Sequence, residues 1–192
     1  MTKPILNFET VQFDYKDTHL TVNKVENLDD LVNQITDDEF NKDERMPYWA
    51  ELWPSAIGLS RYIKNNTTSL LCTDYENNAL ILARKNFQKN NIRLPHLKWL
   101  DWRNPKLNKK YDIIVASDVL YEERFFQPLQ EVFHNYVEED GQILIAEPNR
   151  EIAVPFFEML KNKGYEYTND FEKVDQGGKT IIVSVYLMWK LK

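Results

Sequence analysis

The stretch Tyr111-Asp-Ile-Ile-Val-Ala-Ser-Asp-Val-Leu-Tyr121 constrains the fold of this chain more than any other. Its unbroken apolar run Ile113 to Ala116 predicts a strand buried on both faces, and a carboxylate, Asp118, and a phenol, Tyr121, follow at once. Buried strands of this kind belong to parallel α/β sheets, whose ligands gather at the carboxyl ends of the strands. A second short strand, Leu70 to Thr73, ends in Asp74-Tyr75-Glu76 and runs into a helix. Two acidic strand tips imply a nucleoside-type ligand.

From Leu70 onward the pattern alternates. Strands are predicted at Leu70 to Thr73, His96 to Leu100, Tyr111 to Ser117 and Gln142 to Ala146, with helices at Asn77 to Asn90, Phe125 to Val137 and Ile152 to Lys163. Alternation of this kind predicts an α/β fold: a Rossmann-like, mostly parallel sheet with helices on both faces. Two closing strands, Tyr165 to Val174 and Lys179 to Leu191, flank Gln176-Gly177-Gly178, which suits the turn of a C-terminal antiparallel hairpin. Before the sheet come an expected hairpin from Ile5 to Val25 around Lys16-Asp17-Thr18, a short capped helix from Asn27 to Ile35, and a polar connection from Thr36 to Arg45. Next is a rigid aromatic loop, Pro47-Tyr-Trp-Ala-Glu-Leu-Trp-Pro54, read either as a lid on the core or as a ligand-facing element; a helix from Ser55 to Asn65 follows it. The expectation is a single domain over 1–192, with 1–45 as an N-terminal extension.

At 192 residues and 43% hydrophobic content the chain can bury a sizeable core. A net charge of −6 argues against nucleic acid as a partner and favours a basic protein surface. Cys72 is the single cysteine and lies within an apolar strand, where it reads as a small buried side chain. His19, His96 and His134 have no ligand spacing, so no metal site is expected. No membrane span or export signal is read from the sequence, and the cytoplasm is the expected location. The Gly-x-Gly-x-x-Gly turn of nicotinamide-dependent oxidoreductases and the Gly-x-Ser-x-Gly elbow of α/β-hydrolases are both absent from the sequence.

Five segments, Pro47 to Pro54, Thr73-Asp-Tyr-Glu76, Leu100-Asp-Trp102, Asp118-Val-Leu-Tyr121 and Ala146-Glu-Pro-Asn-Arg150, resemble in order the class I S-adenosylmethionine-dependent methyltransferases. Within that class they are similar to the protein-lysine branch called methyltransferase family 16. The resemblance implies S-adenosylmethionine as cofactor and a protein lysine or a small amine as methyl acceptor. It implies that Asp74 accepts hydrogen bonds from the ribose hydroxyls, with a helix-capping role as the plain alternative. By the same resemblance Trp102 covers the adenine, or else merely caps the core, and Asp101 accepts from the exocyclic amine. Trp53 would close over the methionine end. Asp118 and Tyr121 would receive the acceptor amine, Asp118 alternatively capping the helix near Phe125 or pairing with Arg124. Glu147 either lines the acceptor channel or pairs with Arg150.

One departure from the family stands out. No glycine lies between Gly58 and Gly141, and only Asn66-Thr-Thr-Ser69 separates the helix ending at Asn65 from Leu70. Four residues do not supply the roughly 25 to 30 needed for the family's first strand, its glycine turn and the following helix. Either the encoded protein carries a segment that this sequence lacks, or a deletion has removed the backbone cradle for the cofactor. In the second case the alternative function is a noncatalytic methyltransferase-like module that binds a partner through Tyr48, Trp49 and Trp53.

Overall fold

The computed structural model describes residues 7–15, 18–38, 40, 46–62 and 70–191. The expected turn at Lys16-Asp17, most of the polar connection before Pro47, the last residues of the helix after Pro54, and Asn66 to Ser69 lie outside the described residues. The chain divides into two compact units, one spanning Met1–Leu52 with Thr67–Trp99, the other Trp53–Asn66 with Leu100–Lys192.

In the first unit, β1 (Phe8–Tyr15) and β2 (Thr18–Val25) form an antiparallel pair, and Asn27 caps α1 (Leu28–Val32) by accepting from the Asp29 amide. Val25, Leu31 and Ala50 make a small core, with Trp49 packed against it. Trp49 and Ala50 of the aromatic loop are therefore core packing, while Tyr48 is exposed. β3 (Leu71–Asp74) pairs in parallel with β4 (His96–Trp99), and α3 (Asn77–Lys89) connects them. Two asparagines four residues apart bind helix to hairpin. Asn86 and Asn90 each accept from a β2 amide, Asn23 and Thr21 respectively, and donate to the carbonyl of the same residue, all at 2.8–3.0 Å. The match is geometric, since i and i+4 share a helix face while i and i+2 share a strand edge.

In the second unit, β5 (Tyr111–Ser117), β6 (Val137–Glu147), β8 (Lys179–Lys190) and β7 (Tyr165–Gln176) form one sheet in that order, parallel between β5 and β6 and antiparallel thereafter. The C-terminal hairpin is as expected. Its two-residue loop, Gly177-Gly178, has φ of +58° and +73°, the left-handed values that a tight hairpin turn requires. One face of the sheet carries α4 (Phe126–Tyr136) and α5 (Val154–Lys161) over Ile143, Ile145 and Met188, with Phe156 fully buried among Phe126, Phe133 and Phe157. The opposite face carries α2 (Pro54–Tyr62), where Gly58 lies close over Val183. Proline at the first position of α2 lacks an amide that no intrahelical carbonyl would have met.

One expectation is corrected. Ile113 and Val115 are 41% and 44% exposed, so β5 is not buried on both faces. Among the described residues β5 pairs only with β6, and α2 packs chiefly over β6, β7 and β8, leaving that face of β5 uncovered. The parallel strands also fall into separate hydrogen-bonded sheets, β3 with β4 and β5 with β6. No helix among the described residues is long and apolar enough to cross a membrane.

Candidate active site

Strands β5 and β6 end side by side, and both ends are bent. Asp118 follows β5 with φ +54°, and Asn149 follows β6 with φ +64°. Aspartate and asparagine are the non-glycine residues that best tolerate this region, and such conformations persist only where surrounding bonds hold them. The Asp118 amide donates to the Ala146 carbonyl at 3.2 Å, which extends the parallel ladder by one step. Asn149 is tied to β8, donating from Nδ2 to the Ile182 carbonyl and accepting from Ser184 Oγ.

Arg150 joins the two strand ends. Its Nη2 donates to Asp118 Oδ1 at 2.6 Å, and its Nη1 and backbone amide reach Glu147 at 3.1–3.4 Å. The guanidinium carbon lies 5.9 Å from the centroid of the Trp53 ring. Glu147 is 1% exposed, and burial pushes its carboxyl up to about 7 despite the arginine beside it. Burial also raises Asp118, with Arg150 and Ser55 working in the opposite direction. Removing one partner of a buried ion pair costs about 3–5 kcal/mol because the other charge is left uncompensated, so the guanidinium stays in place. Two carboxylates sharing one guanidinium carry a net single negative charge when both are ionised. Below about pH 7, where Glu147 holds its proton, Arg150 and Asp118 balance and the cluster is neutral; above it the cluster carries the net negative charge that draws a cation.

A second group consists of rings. Phe125 stacks edge-on to Trp102 at 6.0 Å between centroids and tilts against Tyr121 at 5.9 Å. Trp102 packs against the core under α4 and α5, the plainer of its two expected roles. Asp101 turns back on its own loop, accepting from the Arg103 amide and taking the Arg103 guanidinium on both oxygens. Asp118 pairs with Arg150 and not with Arg124, which pairs with Glu122, so neither plain alternative for Asp118 is realised. Glu147 adopts the arginine-paired alternative. Asp74 belongs to the first unit, where its Oδ1 accepts from the Glu76 amide at 2.7 Å just before α3 and burial raises its pKa.

The structure thus links Trp53 and Asp118 through Arg150, and Tyr121 and Trp102 through Phe125. Reading the sequence missed Ser55, at the start of α2, because a serine after a proline signals only a helix start. It missed the bridging role of Arg150 because pairing three residues apart was the only relation visible along the chain.

Comparisons with known proteins agree with this architecture. The chain is 29% identical over 85 residues to the histidine protein methyltransferase 1 homolog of Bos taurus, a stretch covering 42% of this chain and 23% of that protein's length. The fold resembles a methyltransferase from Pyrococcus furiosus with a TM-score of 0.51 at 18% identity, covering 64% of each chain. It also resembles the ribosomal protein L11 methylase of Lactobacillus delbrueckii subsp. bulgaricus with a TM-score of 0.50 at 21% identity, covering 71% of this chain and 66% of that one. The pattern of the lysine methyltransferase family matches residues 55–163, more than half of the sequence, and the chain belongs to that family.

Proposed function

We propose that this chain transfers a methyl group from S-adenosylmethionine to an amine, with a protein lysine as the first candidate acceptor. The observation that carries the reading is the cluster at the ends of β5 and β6. A buried carboxylate, Asp118, keeps one oxygen unpaired among the described residues, beside an arginine whose guanidinium faces the Trp53 ring. That donor set suits a cation, and both the sulfonium of the cofactor and the ammonium of the acceptor are cations.

Within the second unit, Trp53 and Asp118 offer the aromatic face and the carboxylate that suit the sulfonium side of the cofactor. The glycines of the described structure offer no cradle for the cofactor's amino-acid end. Gly58 faces Val183, and Gly164, Gly177 and Gly178 occupy open turns. When bound, S-adenosylmethionine supplies an electrophilic methyl group. The chain's own residues would handle the amine: Asp118 attracts the ammonium, and once the ammonium has given a proton to water Asp118 accepts a remaining N–H and orients the lone pair. Tyr121 donates its phenol and narrows the approach. A protein acceptor is supported by the family and by the name of the bovine relative, and a cytoplasmic location is part of the same proposal.

Transfer of labelled methyl from the cofactor into a lysate tests the reading. Asp118→Ala and Tyr121→Phe are both expected to lose label incorporation, and undiminished transfer in both removes this acceptor site. The engagement of Asp101 by Arg103 favours a second reading, a noncatalytic binding module. Calorimetry with S-adenosylhomocysteine separates the two, because binding heat supports the enzyme and its absence supports the module.

A further inference from the structure

Two buried oxygens near Arg150 have no hydrogen-bond partner among the described residues, Asp118 Oδ2 and Ser55 Oγ. The Asp118 side chain is 8% exposed and Ser55 is 0% exposed, so both atoms are withdrawn from bulk solvent. Ser55 turns its hydroxyl and its backbone amide toward the carboxylate from the first turn of α2, and both lower its pKa although the hydroxyl closes no hydrogen bond of standard geometry. Buried acceptors are normally satisfied, and two such atoms together mark a place suited to a donor.

Arg150 has two conceivable roles. It mimics the substrate cation and must leave before an amine enters, or it is fixed and aims Asp118. Its bonds decide between them. Departure of the guanidinium would leave Glu147, one of the most buried groups in the unit, without the side-chain donor that both its oxygens contact. The backbone amide of Arg150 is tied to the same carboxylate. One planar fork reaches two carboxylates from different strand ends, a geometry that a single ammonium does not reproduce.

We propose that Arg150 is a positioning residue: anchored by Glu147, it occupies Asp118 Oδ1 and leaves Oδ2, beside the Ser55 hydroxyl, to accept an N–H from a primary ammonium ligand. The inference rests on the amine-acceptor reading above and adds two residues to it, Arg150 and Ser55. It assigns the preference for a cationic alkylamine to this triad.

The test is an NMR titration of the full chain with n-butylammonium and with n-butanol, read at the Trp53 indole resonance. The wild type is expected to bind the ammonium in preference to the alcohol. Arg150→Lys, which preserves charge but not the two-armed bridge, is expected to weaken ammonium binding about tenfold and leave n-butanol binding unchanged. Ser55→Ala, which leaves the ion pairs intact, is expected to weaken ammonium binding about threefold through loss of one hydrogen bond. Equal or tighter ammonium binding by a folded Arg150→Lys protein overturns the proposal, as does a wild type that does not discriminate the two probes. Selective ammonium binding without transfer of labelled methyl leaves the inference standing and removes the methyltransferase reading. Methyl transfer without ammonium selectivity does the reverse.

Discussion

Replacing Glu147 with glutamine removes the most strongly displaced titrating group of the cluster and keeps its shape. Burial holds the folded-state carboxyl at about 7 against an ordinary 4.5, so between those values the native state keeps a proton that the unfolded chain has released. Stability contributed by the neutral carboxyl is fully present below pH 4.5 and is lost as pH rises through about 7. Over the interval from pH 5 to pH 8 the loss amounts to about 2–3 kcal/mol. Glu147→Gln has no such titration, so its stability is expected to fall less than that of the wild type over the same interval, by roughly that amount. Urea denaturation of both proteins at pH 5 and pH 8, with the slopes checked for equality, measures the difference directly. If the two proteins lose stability in parallel, to within about 0.5 kcal/mol, Glu147 is ionised throughout and the electrostatic account of the cluster is wrong.

Other expectations follow from packing and backbone geometry. Phe156→Ala, at a fully buried site among three rings, is expected to cost about 3–5 kcal/mol by thermal or chemical unfolding. Gly141→Ala places a Cβ 2.7 Å from Val137 Cγ2 and 3.0 Å from the Asp112 carbonyl oxygen and the Glu138 nitrogen, and the backbone atoms cannot move aside independently. A loss of about 1–3 kcal/mol is expected, and an unchanged denaturation midpoint would show that β5 and β6 yield there without cost. Asn86→Ala removes both bonds to Asn23, so hydrogen exchange of the Asn23 amide should accelerate more than that of Val22.

Much of the fold was legible along the chain because its signals are local. The Asn27 cap, the two-residue glycine turn and the proline that opens α2 each act within a few residues, and the structure keeps all three. The exposure of Ile113 and Val115 was not legible. A run of four apolar residues reports that a strand seeks cover, and the number of partners and helices that cover it depends on elements far away in sequence. The site divides in the same way. Asp118 and Tyr121 were visible as polar residues ending an apolar strand, but nothing local distinguished Arg150 from Arg124 as the partner of Asp118.

The order of residues by itself determined that this chain builds α/β units, ends in a hairpin and carries carboxylates where its strands stop, since each follows from hydrophobic period and turn chemistry. Only tertiary structure decided that Arg150 bridges Asp118 and Glu147 across two strand ends, that Asp101 turns to Arg103, and that one face of β5 stays open. The reason is physical: burial and Coulomb attraction depend on distance in space, and parallel pairing brings Asp118 beside Ala146, 28 positions further along the sequence.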